Sequence, residues 1–81
     1  MTAIATHEII ISVRPERLAE VEPLLSGYYP GIAGTAETSY ATGIELKVYR
    51  FQVGEYPPAG FISLLRRLNF QRRASYRIEN L

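Results

Sequence analysis

Two helix-period apolar stripes set among strand-like runs constrain this chain more than any other feature of it. Leu18, Val21 and Leu25, flanked by Leu24, recur at helical spacing, with Glu16, Arg17, Glu20 and Glu22 on the other side. Phe61, Leu64, Leu65 and Leu68 stand at i, i+3, i+4 and i+7, with Ser63, Arg66 and Arg67 turned outward. The segments around these stripes read as extended. From Thr6 to Val13, Ile9, Ile11 and Val13 alternate with Ile10 and Ser12, and the β-branched run favours a strand. Ala36 to Tyr40 predicts a short strand and Ile44 to Val53 a longer one, joined by the glycine-containing turn Ala41-Thr42-Gly43. Arg72 to Ile78 alternates again and predicts the last strand. Strand, helix, strand, strand, helix, strand is the order of an α+β, ferredoxin-like βαββαβ sandwich, an antiparallel sheet with both helices on one face.

Local punctuation agrees with those boundaries. Pro15 suits the first position of a helix, where its missing N–H costs nothing. Pro23 removes one intrahelical bond, and Gly27 is placed to cap the first helix in a left-handed conformation. The segment Tyr29 to Ala36, with Pro30, Gly31 and Gly34, reads as a loop entering a strand. Gly54 to Pro58 breaks the strand before the second helix, which Asn69 can end in a left-handed conformation.

Eighty-one residues make one domain, 1–81, near the lower limit of what a core can hold unaided. A hydrophobic fraction of 47% supplies enough material for that core, so disorder is not expected. The chain has no cysteine, which excludes disulfides, thiolate metal sites and cysteine nucleophiles. It has one histidine, His7, and no aspartate, so a His/Asp relay is excluded too. His7 and Glu8 are neighbours on a strand and point to opposite faces, so they cannot converge on one atom. Gly31-x-x-Gly34 lacks the lysine and following helix that cradle phosphate. No cofactor, no metal and no catalytic residue is expected. The residues 1–8 lack a basic region and an apolar core of signal length, and the longest unbroken apolar run is Ile9-Ile10-Ile11. A cytoplasmic protein without a membrane span is the expectation.

The charge is segregated along the chain. Residues 1–45 carry six glutamates against Arg14 and Arg17, a balance of −4. Residues 46–81 carry Lys47, Arg50, Arg66, Arg67, Arg72, Arg73 and Arg77 against Glu55 and Glu79, a balance of +5 beneath an overall +1. A Lys/Arg cluster near one end is the footprint of a polyanion or an acidic protein surface. Solvated helix and strand faces are the other reading of the same arginines.

The sheet face away from the helices is the other candidate surface. In the long strand, Ile44, Leu46 and Val48 share one side, and Lys47, Tyr49, Phe51 and Val53 share the other. If the first set faces the helices, Tyr49 and Phe51 lie on the open face with Ile10, for self-association or ligand binding. A β-bulge near Val48 and Tyr49 would instead turn Tyr49, Phe51 and Val53 into the core. The letters Lys47-x-Tyr49-x-Phe51 resemble the third strand of the RNA-recognition motif, a family of the same element order that stacks bases on strand aromatics. The likeness covers one strand: Val48 and Arg50 replace the family's small residues, and Ile10 stands where an aromatic is expected. Ile9 to Leu18 followed by Gly31-Ile32 resembles the opening of small trimeric nitrogen-signalling proteins. The long loop and lysine-rich nucleotide contacts of that family are missing, which leaves only shared fold grammar.

These observations predict a small non-enzymatic interaction module that binds a macromolecular complex, nucleic acid or an acidic protein surface. The binding set is Lys47, Tyr49, Arg50, Phe51, Arg66, Arg67, Arg72, Arg73 and Arg77. By size and charge alone such modules include accessory subunits and virus-encoded inhibitors of host machinery. The alternative is a homo-oligomeric sensing or assembly subunit, a homodimer in the simplest case, associating through its open sheet face. A small enzyme with a cavity at a dimer interface is a third class.

Overall fold

The computed structural model describes residues 4–40 and 43–81. Strand β1 spans His7–Val13, helix α1 Leu18–Ser26, β2 Ala36–Ser39, β3 Leu46–Val53, α2 Ala59–Phe70 and β4 Ala74–Asn80, with single 3-10 turns at Pro15–Arg17 and Ile32–Thr35. The four strands form one antiparallel sheet in the order β2-β3-β1-β4. This is the α+β ferredoxin-like arrangement that the two stripes and the strand-like runs predict.

Both helical stripes lie on one face of the sheet. Val21 and Leu25 of α1 share a single core with Phe61, Leu64, Leu65 and Leu68 of α2, with Leu18 packed at its edge. Ile9, Ile11 and Val13 of β1 form its floor. Tyr29 bridges the layers, its ring 4.9 Å from Phe61 and 5.1 Å from Phe51. Gly60 permits the approach of Tyr28 to α2, because a Cβ there would lie 2.7 Å from the Tyr28 hydroxyl oxygen.

The long strand has the opposite phase to the one that put Tyr49 and Phe51 on the open face. Register pairs Ile9 with Phe51 and Ile78, and Ile11 with Tyr49 and Tyr76, so these residues share the helix side. Tyr49 is fully buried, and Phe51 and Val53 pack against the core. The ladder runs without interruption from His7↔Val53 to Val13↔Lys47, so the aromatics reach the core without a bulge. The reason lies two residues along. Leu46 and Val48 share their side with Arg50 and Gln52, and facing that side inward would bury a guanidinium and an amide without partners. Ile44 precedes the strand and is 51% exposed.

Tyr49 keeps its polar tip satisfied. Its hydroxyl donates to Glu22 Oε1 on α1 at 2.7 Å. Burial first, and then this bond to a carboxylate, push the Tyr49 hydroxyl well above the ordinary tyrosine range.

Two of three terminal signals resolve differently from expectation. Gly27 stays right-handed at φ −63°, and α1 unwinds as the Tyr28 and Tyr29 N–H groups both donate to the Leu25 carbonyl. Gly43, at φ +79°, occupies the left-handed position before β3, while Ala41 and Thr42 of the predicted turn lie outside the described residues. Asn69 remains inside α2, and Arg72, at φ 59°, takes the left-handed position in its place.

Candidate anion-binding site at the arginine end of the sheet

The end of the sheet where β1 finishes and β3 and β4 begin gathers cations from distant parts of the chain. Val13 pairs with Lys47 on one side and Ala74 on the other, so Arg14 leaves β1 beside the start of both neighbours. Helix α2 also finishes here, in a Schellman turn: Arg73 N–H donates to the Leu68 carbonyl at 2.8 Å and Arg72 N–H to the Asn69 carbonyl at 3.1 Å. That geometry requires a left-handed residue at Arg72, a place usually held by glycine. Arginine there costs about 1 kcal/mol in backbone strain. What the position gains is a guanidinium aimed beside Arg14.

Arg14 and Arg72 line two adjoining hollows. One, of about 250 Å³, has walls that include Ser12, Asn69, Arg73 and Ser75. The other is completed by Glu16 and Arg17. Together they offer guanidinium forks, two hydroxyls and an amide, the donor set that suits phosphate or carboxylate.

The cations differ in what they already hold. Glu20 Oε1 receives both Arg17 at 3.4 Å and Arg73 at 3.2 Å, which ties α1 to the approach to β4. Among the described residues no carboxylate lies within ion-pair distance of Arg14, Arg66, Arg67 or Arg72. Lys47 Nζ donates to Thr38 Oγ1 at 2.5 Å. Arg66 and Arg67 are exposed on the last turns of α2, where a cation also offsets the helix dipole. One turn beyond them stands Phe70, 89% exposed.

The predicted binding set therefore divides. Arg72 and Arg73 enter the site, and Arg66 and Arg67 flank it. Arg50 and Arg77 lie on the open sheet face, each held by a carboxylate: Arg50 to Glu8 at 3.4 Å and Arg77 to Glu79 at 2.6 Å. Tyr49 is fully buried in the core, and Phe51 packs against that core and lines a shallow hollow with Tyr29, Pro30 and Ile32, so neither lies on the open sheet face. Among the described residues the open face therefore has no stacking platform of the kind the RNA-recognition resemblance implies, and it carries Leu46 and Val48 beside Glu8, Ser12, Arg50, Gln52 and Arg77. Ile10, between Arg50 and Arg77 in register, is only 8% exposed beneath their stems.

Sequence reasoning missed Arg14, which belongs to the acidic half of the chain, and Phe70, which falls just past the second stripe. A signal for Arg14 existed: it is the last residue before Pro15, and a strand that ends there must meet the start of its neighbours. His7 is engaged structurally, with Thr6 Oγ1 2.7 Å from its Nδ1 and the Tyr56 ring edge-on at 5.4 Å. No helix of the described residues is long and apolar enough to cross a membrane. Comparisons with protein-family models, curated proteins and solved structures find no match to the chain.

Proposed function

We propose that this chain is a small interaction module that docks on an anionic macromolecule through the arginine end of its sheet. The observation that carries the reading is Arg72, a strained left-handed arginine that shares its hollows with Arg14 while neither has a carboxylate partner. Two like charges lining one hollow repel, and an anion received between them removes that cost. Of the available polyanions, single-stranded nucleic acid fits best, because Phe70 offers an exposed ring to a base next to the unpaired Arg66 and Arg67.

The test is fluorescence anisotropy with a labelled single-stranded oligonucleotide across a salt series, with polyglutamate as the second ligand. If Arg14, Arg66, Arg67 and Arg72 each meet a phosphate, log K should fall with log salt at a slope on the order of −3. Pairing Arg14→Ala with Arg72→Gly should weaken binding at least tenfold and flatten that slope, while the fold survives because glycine suits the Schellman position. Undiminished binding by this double variant would defeat the docking site. Binding of polyglutamate without the oligonucleotide would keep the site and replace nucleic acid with an acidic protein surface.

A further inference from the structure

We infer that β4 is an interface for a second copy of this chain, joined edge to edge into one continuous sheet. The two edges of the sheet are unequal. Strand β2 offers four residues, whereas β4 offers seven, Ala74–Asn80, without a proline or lysine to blunt them.

The backbone of β4 points half of its groups away from the sheet. Leu81 N–H donates to the Thr6 carbonyl at 3.0 Å, and His7 pairs with Asn80, so the odd-numbered residues of β4 bond to β1. Tyr76, Ile78 and Asn80 therefore aim their N–H and C=O groups outward. Among the described residues no backbone or side-chain hydrogen bond reaches them from the outer side. A continuous, regular row of unpaired groups is a template for another strand.

The side chains choose the occupant. In a two-fold antiparallel pair, outward-facing residues must meet outward-facing residues, which restricts the axis to a residue rather than a gap. An axis at Arg77 sets Arg77 against itself, and an axis at Glu79 sets two carboxylates together. An axis at Ser75 sets Arg73 against Arg77. With the axis at Ile78, Arg77 lies opposite Glu79 of the second copy on both sides, Tyr76 lies opposite Asn80, and Ile78 meets Ile78. An axis at Tyr76 opposes Arg73 to Glu79, but Arg73 precedes the strand and is already held by Glu20. The Ile78 register makes about six main-chain hydrogen bonds and extends the existing Arg77–Glu79 pair into a four-charge ladder. Self-complementarity of this kind specifies a second copy of the chain and disfavours an unrelated strand. The inference stands independently of the anion site, because the antiparallel pairing leaves the two arginine ends at opposite sides of the joined sheet.

Size-exclusion chromatography with light scattering tests it. The unmodified protein should elute at twice the 9.1 kDa chain mass, and its Tyr76, Ile78 and Asn80 amides should exchange slowly with deuterium. Glu79→Arg and Arg77→Glu, at two exposed side chains, should each give a folded monomer by circular dichroism, because each sets like charges opposite one another. Mixing the two variants should restore a dimer containing one of each, since Glu at 77 then meets Arg at 79 and the reverse. A monomeric unmodified protein at every concentration, or rapid exchange at those amides, overturns the interface. A dimer that survives Arg77→Glu overturns the Ile78 register.

Discussion

The open sheet face and the arginine end both carry guanidinium groups, yet they are matched differently. On the face, Arg50 has Glu8 and Arg77 has Glu79. At the end, one carboxylate, Glu20, serves both Arg17 and Arg73, and Arg14 and Arg72 have none within ion-pair distance among the described residues. The contrast separates charge that is paired within the chain from charge that has no carboxylate within ion-pair distance among the described residues. It also shows why the balance of each sequence half is a poor guide to the field in space. Strand β1, from the acidic half, lies between β3 and β4 from the basic half, so Glu8 neutralises Arg50 while Arg14 adds to Arg72.

The largest expected effect tests whether the aromatics of β3 belong to the helix side and not to the open face. Tyr49→Glu should unfold the protein, costing more than about 4 kcal/mol, since it buries a carboxylate against Glu22. A cooperative thermal transition retained by that variant would return Tyr49 to the surface and break the comparison.

Next in size is the difference between the two arginine populations in binding. Arg72→Gly alone should lower oligonucleotide affinity several-fold and leave the melting temperature unchanged or raised, because the strain of a left-handed arginine disappears. A marked fall in melting temperature would assign Arg72 to the fold.

A smaller effect comes from the core side. Tyr49→Phe removes the bond to Glu22 and should cost about 1 kcal/mol at neutral pH in urea unfolding. The pH dependence has a definite sign. The Tyr49 hydroxyl is raised in the folded state, so its contribution is full below about pH 10, the ordinary tyrosine value, and declines as alkali ionises the unfolded chain. The unmodified protein should therefore lose more stability than Tyr49→Phe between about pH 9 and 11. Equal losses would show that Tyr49 titrates normally.

The smallest effect belongs to the compensated face. Arg50→Ala should change stability by less than about 1 kcal/mol and oligonucleotide affinity not at all, since an exposed pair with Glu8 is screened by water. Loss of affinity in that variant would extend the binding surface onto the sheet and erase the distinction between the two regions.

Much of the fold was legible in the residues because periodicity is local. The spacing of Leu18, Val21 and Leu25, and of Phe61 through Leu68, names two helices and the side each must bury, whatever surrounds them. The alternation of β1 names a strand, and the element order names the sheet. The phase of β3 was readable too, through Arg50 and Gln52, but two apolar triplets of opposite parity, Ile44-Leu46-Val48 and Tyr49-Phe51-Val53, compete along that segment. Only pairing with β1 decided between them, because a one-residue slip reverses every side chain of a strand.

The site was legible in part. Arginine density after residue 65 marked Arg66, Arg67, Arg72 and Arg73, and composition alone ruled out thiolate chemistry. Three things were decided by tertiary structure: the entry of Arg14 into the same hollow, the pairing of Arg50 with Glu8 across the sheet, and the left-handed turn that aims Arg72. Each depends on contacts between residues far apart in the chain or on how a helix meets the next strand. Charge acts through distance in space, and the chain order of this protein places its most distant residues, β1 and β4, side by side.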